Sequence, residues 1–250
     1  VLFRSKANSG IMNLLNLNGK NALITGSVGG IGHAIAVALA EAGCNVVLHG
    51  IESEELASDA IKMVEKLGVK VIYIQADLQH LTEIESMFQK IIKDFGSVDI
   101  LVNNAVTRHF ASIETFPVDK WDQAMAVNVS AVFHLVRLAL PTMRKNGWGR
   151  IINMTSVYGM RGTPNRIDYV ASKSAIAGMT RGIAAELVHD NITCNALCPG
   201  SVLTPNIDSR INALMRQSGL TREEAEKEFL KGKQPGGKTI PAEYVARQAL

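Results

Sequence analysis

The stretch Thr25-Gly26-Ser27-Val28-Gly29-Gly30-Ile31-Gly32 decides the fold of this 250-residue chain. It ends an apolar run that starts at residue 21 and precedes a segment with alanine at every second position from 34 to 40. Glycines permit a tight turn and let backbone N–H groups approach a pyrophosphate at a helix N-terminus. The stretch predicts a dinucleotide-binding turn, with a purely structural turn as the alternative. The predicted cofactor contacts within it are Gly26, Ser27, Gly30, Ile31 and Gly32.

Outside this turn, strand-like apolar runs alternate with longer helical patterns. Such alternation is typical of an α/β fold, here a Rossmann-like doubly wound parallel sheet flanked by helices. The predicted strands are 21–25, 45–49, 70–75, 99–103, 150–155 and 191–197. Two helix starts carry the capping-box pattern, namely Thr82 with Glu85 and Thr221 with Glu224.

The chain has no internal repeats or linkers, so residues 12–250 are predicted to form a single dinucleotide-binding catalytic domain. Residues 1–11 resemble a non-native or disordered leader, because they show neither an apolar signal core nor helical periodicity. A helix that opens near Pro241 is expected to continue to Leu250. A sheet of this type normally finishes with another strand, so the final strand is expected to be missing from the chain.

Composition excludes several classes of function. A hydrophobic content of 47% in 250 residues suits one domain with a large core. The net charge of +3, without a dense basic run, argues against a dedicated nucleic-acid partner. The apolar stretches are interpreted as broken before membrane-spanning length, so no membrane association is predicted. Three cysteines without a C-x-x-C pair indicate a reduced, cytoplasmic location, and the histidines lack metal-ligand spacing.

Three residues give the chain a candidate mechanism. Tyr169 and Lys173 stand four residues apart, so on a helix they project from the same face. A free tyrosine loses its proton at about pH 10, and a nearby cation favours the phenolate needed for acid–base work. Ser156 is placed to hydrogen-bond a substrate oxygen beside the tyrosine hydroxyl. The spacing alone is a weak signal and gains weight from the rest of the chain.

The cofactor is predicted from the end of the second strand, His49-Gly50-Ile51-Glu52. No Arg or Lys is present there to pair with a 2′-phosphate, and an unpaired phosphate is costly to desolvate. Gly50 stands where an acid usually holds the ribose diol, although Glu52 is close enough in sequence to replace it. These features favour NAD.

The ordered motifs resemble those of the short-chain dehydrogenase/reductase family over residues 17–250, and within it those of the bacterial D-3-hydroxybutyrate dehydrogenases. The motifs are the glycine turn, Asn103-Asn104-Ala105, Asn128, Ser156, the Tyr169/Lys173 pair, Pro199-Gly200 and Thr204. The resemblance implies that Tyr169 is the general acid/base, that Lys173 assists it and binds the nicotinamide ribose, and that Ser156 orients the carbonyl. It implies that Asn128 supports a proton-relay water. Further implied cofactor contacts are Asp77, Leu78, Asn104, Ala105, Tyr169, Lys173, Pro199, Gly200, Val202 and Thr204.

The substrate positions depart from this pattern. Where hydroxybutyrate dehydrogenases use Gln, His and Lys for the carboxylate, this chain has Arg108, Tyr158 and Arg166, and Arg210 replaces a lid glutamine. A guanidinium binds a carboxylate bidentately, so these residues and Ser156 are predicted to bind a hydroxy or keto acid. Arg108 and Arg166 have an alternative interpretation as solvated loop charges.

Residues 201–235 resemble a substrate lid, or else an exposed helix pair without a gating role. The resemblance implies a homotetramer that packs through helices at 117–145 and 169–189. Three functions stay open at this point: an NAD-dependent dehydrogenase of a short 3-hydroxy acid, a reductase of 3-oxoacyl thioesters or other ketones using NADPH, and a catalytically silent nucleotide-binding scaffold.

Overall fold

The computed structural model describes residues 17–250, so the predicted leader at 1–11 lies outside the described residues. Six parallel strands form one sheet in the order β3-β2-β1-β4-β5-β6. The order reverses between β1 and β4, and this switch point opens a crevice at the carboxyl ends of the two strands. The strands are β1 Asn21–Ile24, β2 Asn45–Gly50, β3 Val71–Gln75, β4 Ile100–Asn103, β5 Gly149–Met154 and β6 Ile192–Leu197.

Helices cover both faces of the sheet and enclose two apolar cores. Leu39 and Val64 are buried in one core, while Phe88, Leu135 and Ile176 are buried in the other. The α-helices are α1 Gly30–Glu41, α2 Glu54–Glu65, α3 Leu81–Phe95, α4 Val118–Met125, α5 Ala131–Lys145, α6 Ile167–Glu186, α7 Pro205–Ser218, α8 Arg222–Leu230 and α9 Ala242–Arg247. Short 3₁₀ turns lie at Ile113–Thr115 and Val157–Gly159, and a π-helical turn at Ala126–Ser130 joins α4 to α5.

The predicted doubly wound parallel sheet is confirmed, and each predicted strand agrees with the structure to within one residue at either end. The prediction missed a parallel pair of two-residue strands, β7 at Val202–Leu203 and β8 at Ile240–Pro241. Two residues are too short to show an alternating pattern, and proline is depleted in strands. This pair holds the chain on either side of α7 and α8 together, next to the crevice.

One predicted cap is confirmed and another is wrong. Thr221 and Glu224 form the reciprocal capping box at the start of α8. α3 instead begins at Leu81 with His80 in the cap position, so Thr82 already lies inside the helix. Glu85 there pairs with Arg137 of α5 at 3.1 Å. The expectation that the last helix continues to Leu250 is also wrong, because α9 ends at Arg247.

The helical segment Val118–Lys145 shows that one reason given for predicting no membrane association, the short length of the apolar stretches, is wrong. Its 28 residues are long and apolar enough to cross a membrane, so apolar stretches are not all broken below that length. Leu135, Val136 and Met143 of this segment are buried in the core beside the sheet. The core helix of a soluble protein meets the same length and composition criteria, so the segment is weak support for a membrane location.

Candidate active site

The crevice at the switch point contains a cavity of about 310 Å³, called the central cavity below. Ser156, which follows β5, and Tyr169 and Lys173, which both lie on α6, all line it. The other predicted site residues that line it are Ile31, Asn104, Arg108, Tyr158, Arg166, Pro199, Gly200, Val202, Thr204 and Arg210. The cavity therefore joins the predicted catalytic, substrate and nicotinamide-side residues in one space.

The glycine turn enters this space with close backbone contacts. Gly26 has φ +61°, a left-handed backbone conformation that residues with a side chain rarely adopt. A Cβ at this position would also lie 2.9 Å from Cα of Ala105. A Cβ on Gly32 would stand 2.5 Å from Nδ2 of Asn104 and would also collide with the carbonyl oxygen of Gly26. The first N–H groups of α1, from Gly30 onward, have no partner within their own helix. This geometry fits a pyrophosphate at the N-terminus of α1.

Asn104 fastens the turn to β4. Its Nδ2 donates to the carbonyl oxygens of Thr25 at 2.9 Å and Gly26 at 2.8 Å. Its backbone N–H and that of Ala105 both donate to Oγ1 of Thr25. With both amide hydrogens engaged, Asn104 has its side-chain oxygen left for the predicted cofactor contact.

His49 is a positioning residue that the sequence interpretation missed. Its Nδ1 accepts the backbone N–H of Gly26 at 3.1 Å, and its Nε2 lies 3.1 Å from the carbonyl oxygen of Ala76. Ser27 is fully buried, and its hydroxyl donates to Ile24 and accepts the N–H of His49. Ser27 thus holds the turn in place, and its hydroxyl is not free for the predicted cofactor contact. A histidine that ends a buried strand beside a glycine turn was the available signal.

Acid is expected to weaken the fold through His49. Burial lowers the pKa of His49 from 6.5 to about 4, so below pH 6.5 the unfolded chain takes up a proton that the folded chain refuses. Stability contributed by the neutral ring is therefore lost as the pH falls from 6.5 toward 4, by up to about 3 kcal/mol. His49→Gln, which keeps a donor and an acceptor without titrating, should flatten the pH dependence of unfolding in urea between pH 7 and 5. Exposed His189→Gln is the control; equal pH slopes for wild type and His49→Gln would contradict the assignment.

Tyr169 and Lys173 share one face of α6, as predicted, and the ammonium nitrogen lies 5.6 Å from the centre of the tyrosine ring. Lys173 is 4% exposed, and its Nζ donates to the carbonyl oxygen of Met154 at 2.6 Å. Burial, with a smaller contribution from Arg108, lowers the pKa of Lys173 to about 8. The lysine is therefore close to its titration point near neutral pH, which is the range that acid–base chemistry requires.

Ser156 and Asn128 complete the predicted catalytic set. Ser156 caps the 3₁₀ turn that follows β5 and is 5% exposed, and its Oγ accepts the backbone N–H of Tyr158 at 3.2 Å. Asn128 lies in the π-helical turn, a feature often found at functional sites. Its side chain bonds the N–H and C=O of Thr107 and donates to Oγ of Ser172. Asn128 therefore links the loop after β4 to α6. It is not one of the residues that line the central cavity.

The predicted substrate arginines surround the aromatic rings of the cavity. The guanidinium of Arg166 lies 4.3 Å from the centre of the Tyr169 ring, and that of Arg108 lies 5.8 Å from it. Nε and Nη2 of Arg166 are buried without a hydrogen-bond partner, so this side chain is not a solvated loop charge. Arg210 reaches the cavity from α7 and lies 5.7 Å from the ring of Phe110.

At the adenosine end, Glu52 occupies the space above Gly50. A Cβ on Gly50 would collide with Oε2 of Glu52 and stand 2.8 Å from Val28 of the glycine turn. The hydroxyl of Tyr73 donates to the backbone carbonyl of Glu52 at 2.6 Å, which fixes this loop. The carboxylate thus sits where an acid at the end of the second strand would otherwise stand.

Asp77 and Leu78, the predicted adenine contacts, follow β3. The carboxylate of Asp77 accepts the side chain and the backbone N–H of Gln79, and its own N–H donates to Glu83. Leu78 is 4% exposed and belongs to the core. Neither residue is among those lining the central cavity, so an adenine contact would lie outside it.

Comparison with known proteins agrees with this geometry. The family model described as short chain dehydrogenase matches residues 20–214. D-beta-hydroxybutyrate dehydrogenase of Cupriavidus necator is 41% identical over 234 residues, which are 94% of this chain and 90% of the relative. D-beta-hydroxybutyrate dehydrogenase of Rhizobium meliloti is 43% identical, with 92% of this chain and 90% of the relative covered.

A solved structure gives the same fold. L-sorbose reductase from Gluconobacter frateurii, in complex with NADPH and L-sorbose, superposes with a TM-score of 0.88 at 29% identity. The match covers 94% of this chain and 89% of that chain. A relative of this architecture thus holds a nicotinamide cofactor and a hydroxyl-bearing substrate.

Proposed function

The chain belongs to the short-chain dehydrogenase family and is an oxidoreductase acting on a CH–OH group, and from this premise we propose that it is an NAD-dependent dehydrogenase of a short 3-hydroxy acid. The observation that carries the proposal is the grouping of Tyr169, Lys173 and Ser156 with two arginines in one cavity beside the glycine turn. A hydroxyl and a carboxylate on one small molecule match this set of groups.

The roles follow from the positions. Arg108 and Arg166 bind the carboxylate, which places the substrate hydroxyl between Ser156 and Tyr169. Tyr169 takes the hydroxyl proton as the carbinol carbon loses a hydride, and the ammonium of Lys173 stabilises the phenolate that starts the cycle. The bound NAD supplies the hydride acceptor. In the reverse direction Tyr169 returns the proton to the keto oxygen.

Glu52 supports NAD over NADP. Its carboxylate lies beside the glycine turn and above Gly50, where a ribose diol can donate hydrogen bonds to it. A 2′-phosphate in the same place would meet a like charge. Partial burial, and then the charges of Glu52 and Glu54, raise the pKa of the neighbouring Tyr73 to about 12, so that hydroxyl stays a neutral donor.

Glu52→Gln is expected to change cofactor preference. Removing the charge should weaken the ribose contact and relieve repulsion of the 2′-phosphate, so the ratio of kcat/KM for NAD⁺ over NADP⁺ should fall about tenfold, the effect of roughly 1.4 kcal/mol. Steady-state kinetics with both cofactors measure this ratio. Glu55→Gln, one helical position beyond Glu54 and exposed, should leave it unchanged. A ratio unaffected by Glu52→Gln would remove the support for this role.

The proposed activity is tested directly by NADH formation from D-3-hydroxybutyrate and from longer 3-hydroxy acids. Turnover with NAD⁺ supports the proposal. Exclusive use of NADPH with 3-oxoacyl thioesters would favour a reductase. The 3-oxoacyl-[acyl-carrier-protein] reductase of Staphylococcus aureus is 35% identical over 198 residues. Cofactor binding without turnover of any tested acid or ketone would favour a silent scaffold.

The lid and the assembly extend the proposal. The carbonyl oxygen of Lys233 accepts a hydrogen bond from Arg161 at 2.7 Å, and the side-chain oxygen of Gln234 accepts the N–H of Ser201 at 2.8 Å. The first contact joins residues 201–235 to the rest of the protein, and the second joins the two ends of this segment to each other. Release of these contacts would admit substrate. A homotetramer would pack through helices at 117–145 and 169–189, where Phe133 is 53% exposed.

A further inference from the structure

Besides Lys173, two pairs of cationic side chains line the central cavity. The inner pair is Arg108 and Arg166, which flank the ring of Tyr169 at 5.8 and 4.3 Å. The outer pair is Arg210 and Lys233, which lie 5.1 and 4.0 Å from the centre of the Phe229 ring. All four side chains line the cavity.

Phe110 lies between the two pairs. The guanidinium of Arg166 is 4.7 Å from its ring centre and that of Arg210 is 5.7 Å from it. The two pairs therefore lie on either side of this ring, one beside Tyr169 and the other beside the predicted lid. An aromatic separator of this kind gives an apolar middle section with a positive charge cluster at each end.

These cations have no carboxylate partners. No acidic side chain within residues 17–250 lies within ion-pair distance of any of the four. The charge of Asp168 favours the protonated form of Arg166, but no ion pair joins the two. Oδ2 of Asp168 accepts the backbone N–H of His109, and Oδ1 has no hydrogen-bond partner within residues 17–250. Asp208 on α7 is paired with Arg222 at 2.7 Å instead of facing Arg210.

The cations also act on one another. Burial, and then the charge of Arg108, lowers the pKa of Arg166. Partial burial, and then Arg210 and Arg166, lowers the pKa of Lys233. Mutual repulsion of this kind is a cost that an anionic ligand removes, and the inner pair alone is sufficient for one carboxylate.

Given the proposed function, we propose that the physiological substrate is a dianion, a 3-hydroxy acid whose chain ends in a second anionic group. The carboxylate beside the reacting carbinol binds Arg108 and Arg166, the carbon chain crosses Phe110, and the second anionic group binds Arg210 and Lys233. A second carboxylate and a phosphate both satisfy this chemistry. The hydroxybutyrate relatives act on a monoanion by name, so the outer pair gives this chain a different selectivity.

Direct binding tests the inference without requiring turnover. Calorimetry on the full chain compares glutarate, its monomethyl ester and 3-phosphonopropionate. The dissociation constant of a dianion should be at least tenfold lower than that of the ester, and this advantage should shrink at high salt. Tighter binding of glutarate identifies the second group as a carboxylate, and tighter binding of the phosphonate identifies a phosphate. Equal affinity of all three ligands overturns the inference.

Kinetics give the second readout. The quantity measured is kcat/KM for 3-hydroxyglutarate divided by kcat/KM for 3-hydroxybutyrate. Arg210→Gln and Lys233→Gln should each lower this ratio at least tenfold, mainly by raising KM for 3-hydroxyglutarate. Lys231→Gln is the matched control, because Lys231 pairs with Glu228 at 3.5 Å and is exposed. If both substrates turn over with equal efficiency and the variants do not change the ratio, the dianion inference fails while the dehydrogenase proposal stands. Absence of turnover with intact dianion binding would refute the dehydrogenase proposal alone.

Discussion

Tyr169→Phe is expected to lower kcat/KM for 3-hydroxybutyrate about a thousandfold, within the range that a positioned acid–base group contributes. The ring would remain packed between Arg166 and Tyr158, which lie 4.3 Å and 6.4 Å from it, so the cavity keeps its shape. What disappears is the phenol oxygen that, as the phenolate beside Lys173, is proposed to accept the substrate proton. The loss should therefore appear in kcat, with KM nearly unchanged.

The measurement needs proof that the variant is folded and binds cofactor. Thermal unfolding should match wild type within error, because within residues 17–250 the Tyr169 hydroxyl makes no hydrogen bond, and the bond from the Ser172 hydroxyl goes to the backbone carbonyl of Tyr169. NADH titration should still show binding, because the other predicted cofactor contacts remain. Tyr244→Phe, at an exposed position on α9, is the control for loss of a phenol elsewhere. Full turnover by Tyr169→Phe would show that another group moves the proton.

The sheet could be predicted from the sequence because its strands are buried on both faces. Parallel strands covered by helices appear as continuous apolar runs, and β1, with all four residues buried, is an example. The alternation of such runs with helical patterns leaves few topologies, and the glycine turn then identifies β1 as the strand beside the crevice. The helix start at Thr221 could also be predicted, because the capping residue and its partner Glu224 lie only three residues apart in the sequence.

Other parts of the site depend on contacts between distant residues. His49 bonds Gly26 and Ala76 across 23 and 27 positions. Its place near the end of an apolar strand indicates that it is buried, but not which residues it contacts. The π-helical turn around Asn128 has no pattern distinct from the helices on either side. The outer cation pair requires α7 and the segment after α8 to fold over the cavity, so the sequence predicts Arg210 but not Lys233 as a substrate residue. Such features follow from tertiary packing and not from local propensity.

Gly32→Ala is expected to destabilise the protein, although helix propensity predicts the opposite. Alanine in place of glycine inside a helix normally stabilises by about 0.5–1 kcal/mol. Gly32 is buried in the first turn of α1, and a Cβ there would collide with the carbonyl of Gly26 and crowd Nδ2 of Asn104. Both atoms belong to the hydrogen bond that closes the turn, so neither moves without breaking it.

Gly32→Ala is expected to lower the free energy of unfolding by about 2 kcal/mol, which for a domain of this size lowers Tm by roughly 4–8 °C. NADH affinity should fall at least tenfold as well, because displacement of the Gly26 carbonyl moves the N–H groups at the start of α1. Gly29→Ala is the matched control: Gly29 caps the same helix with an extended φ of −160°, and a Cβ there meets nothing within 4 Å. Calorimetric Tm and NADH titration should therefore separate two substitutions three residues apart. If Gly32→Ala matched or exceeded wild-type Tm, the turn would not be held by Asn104 in the way described.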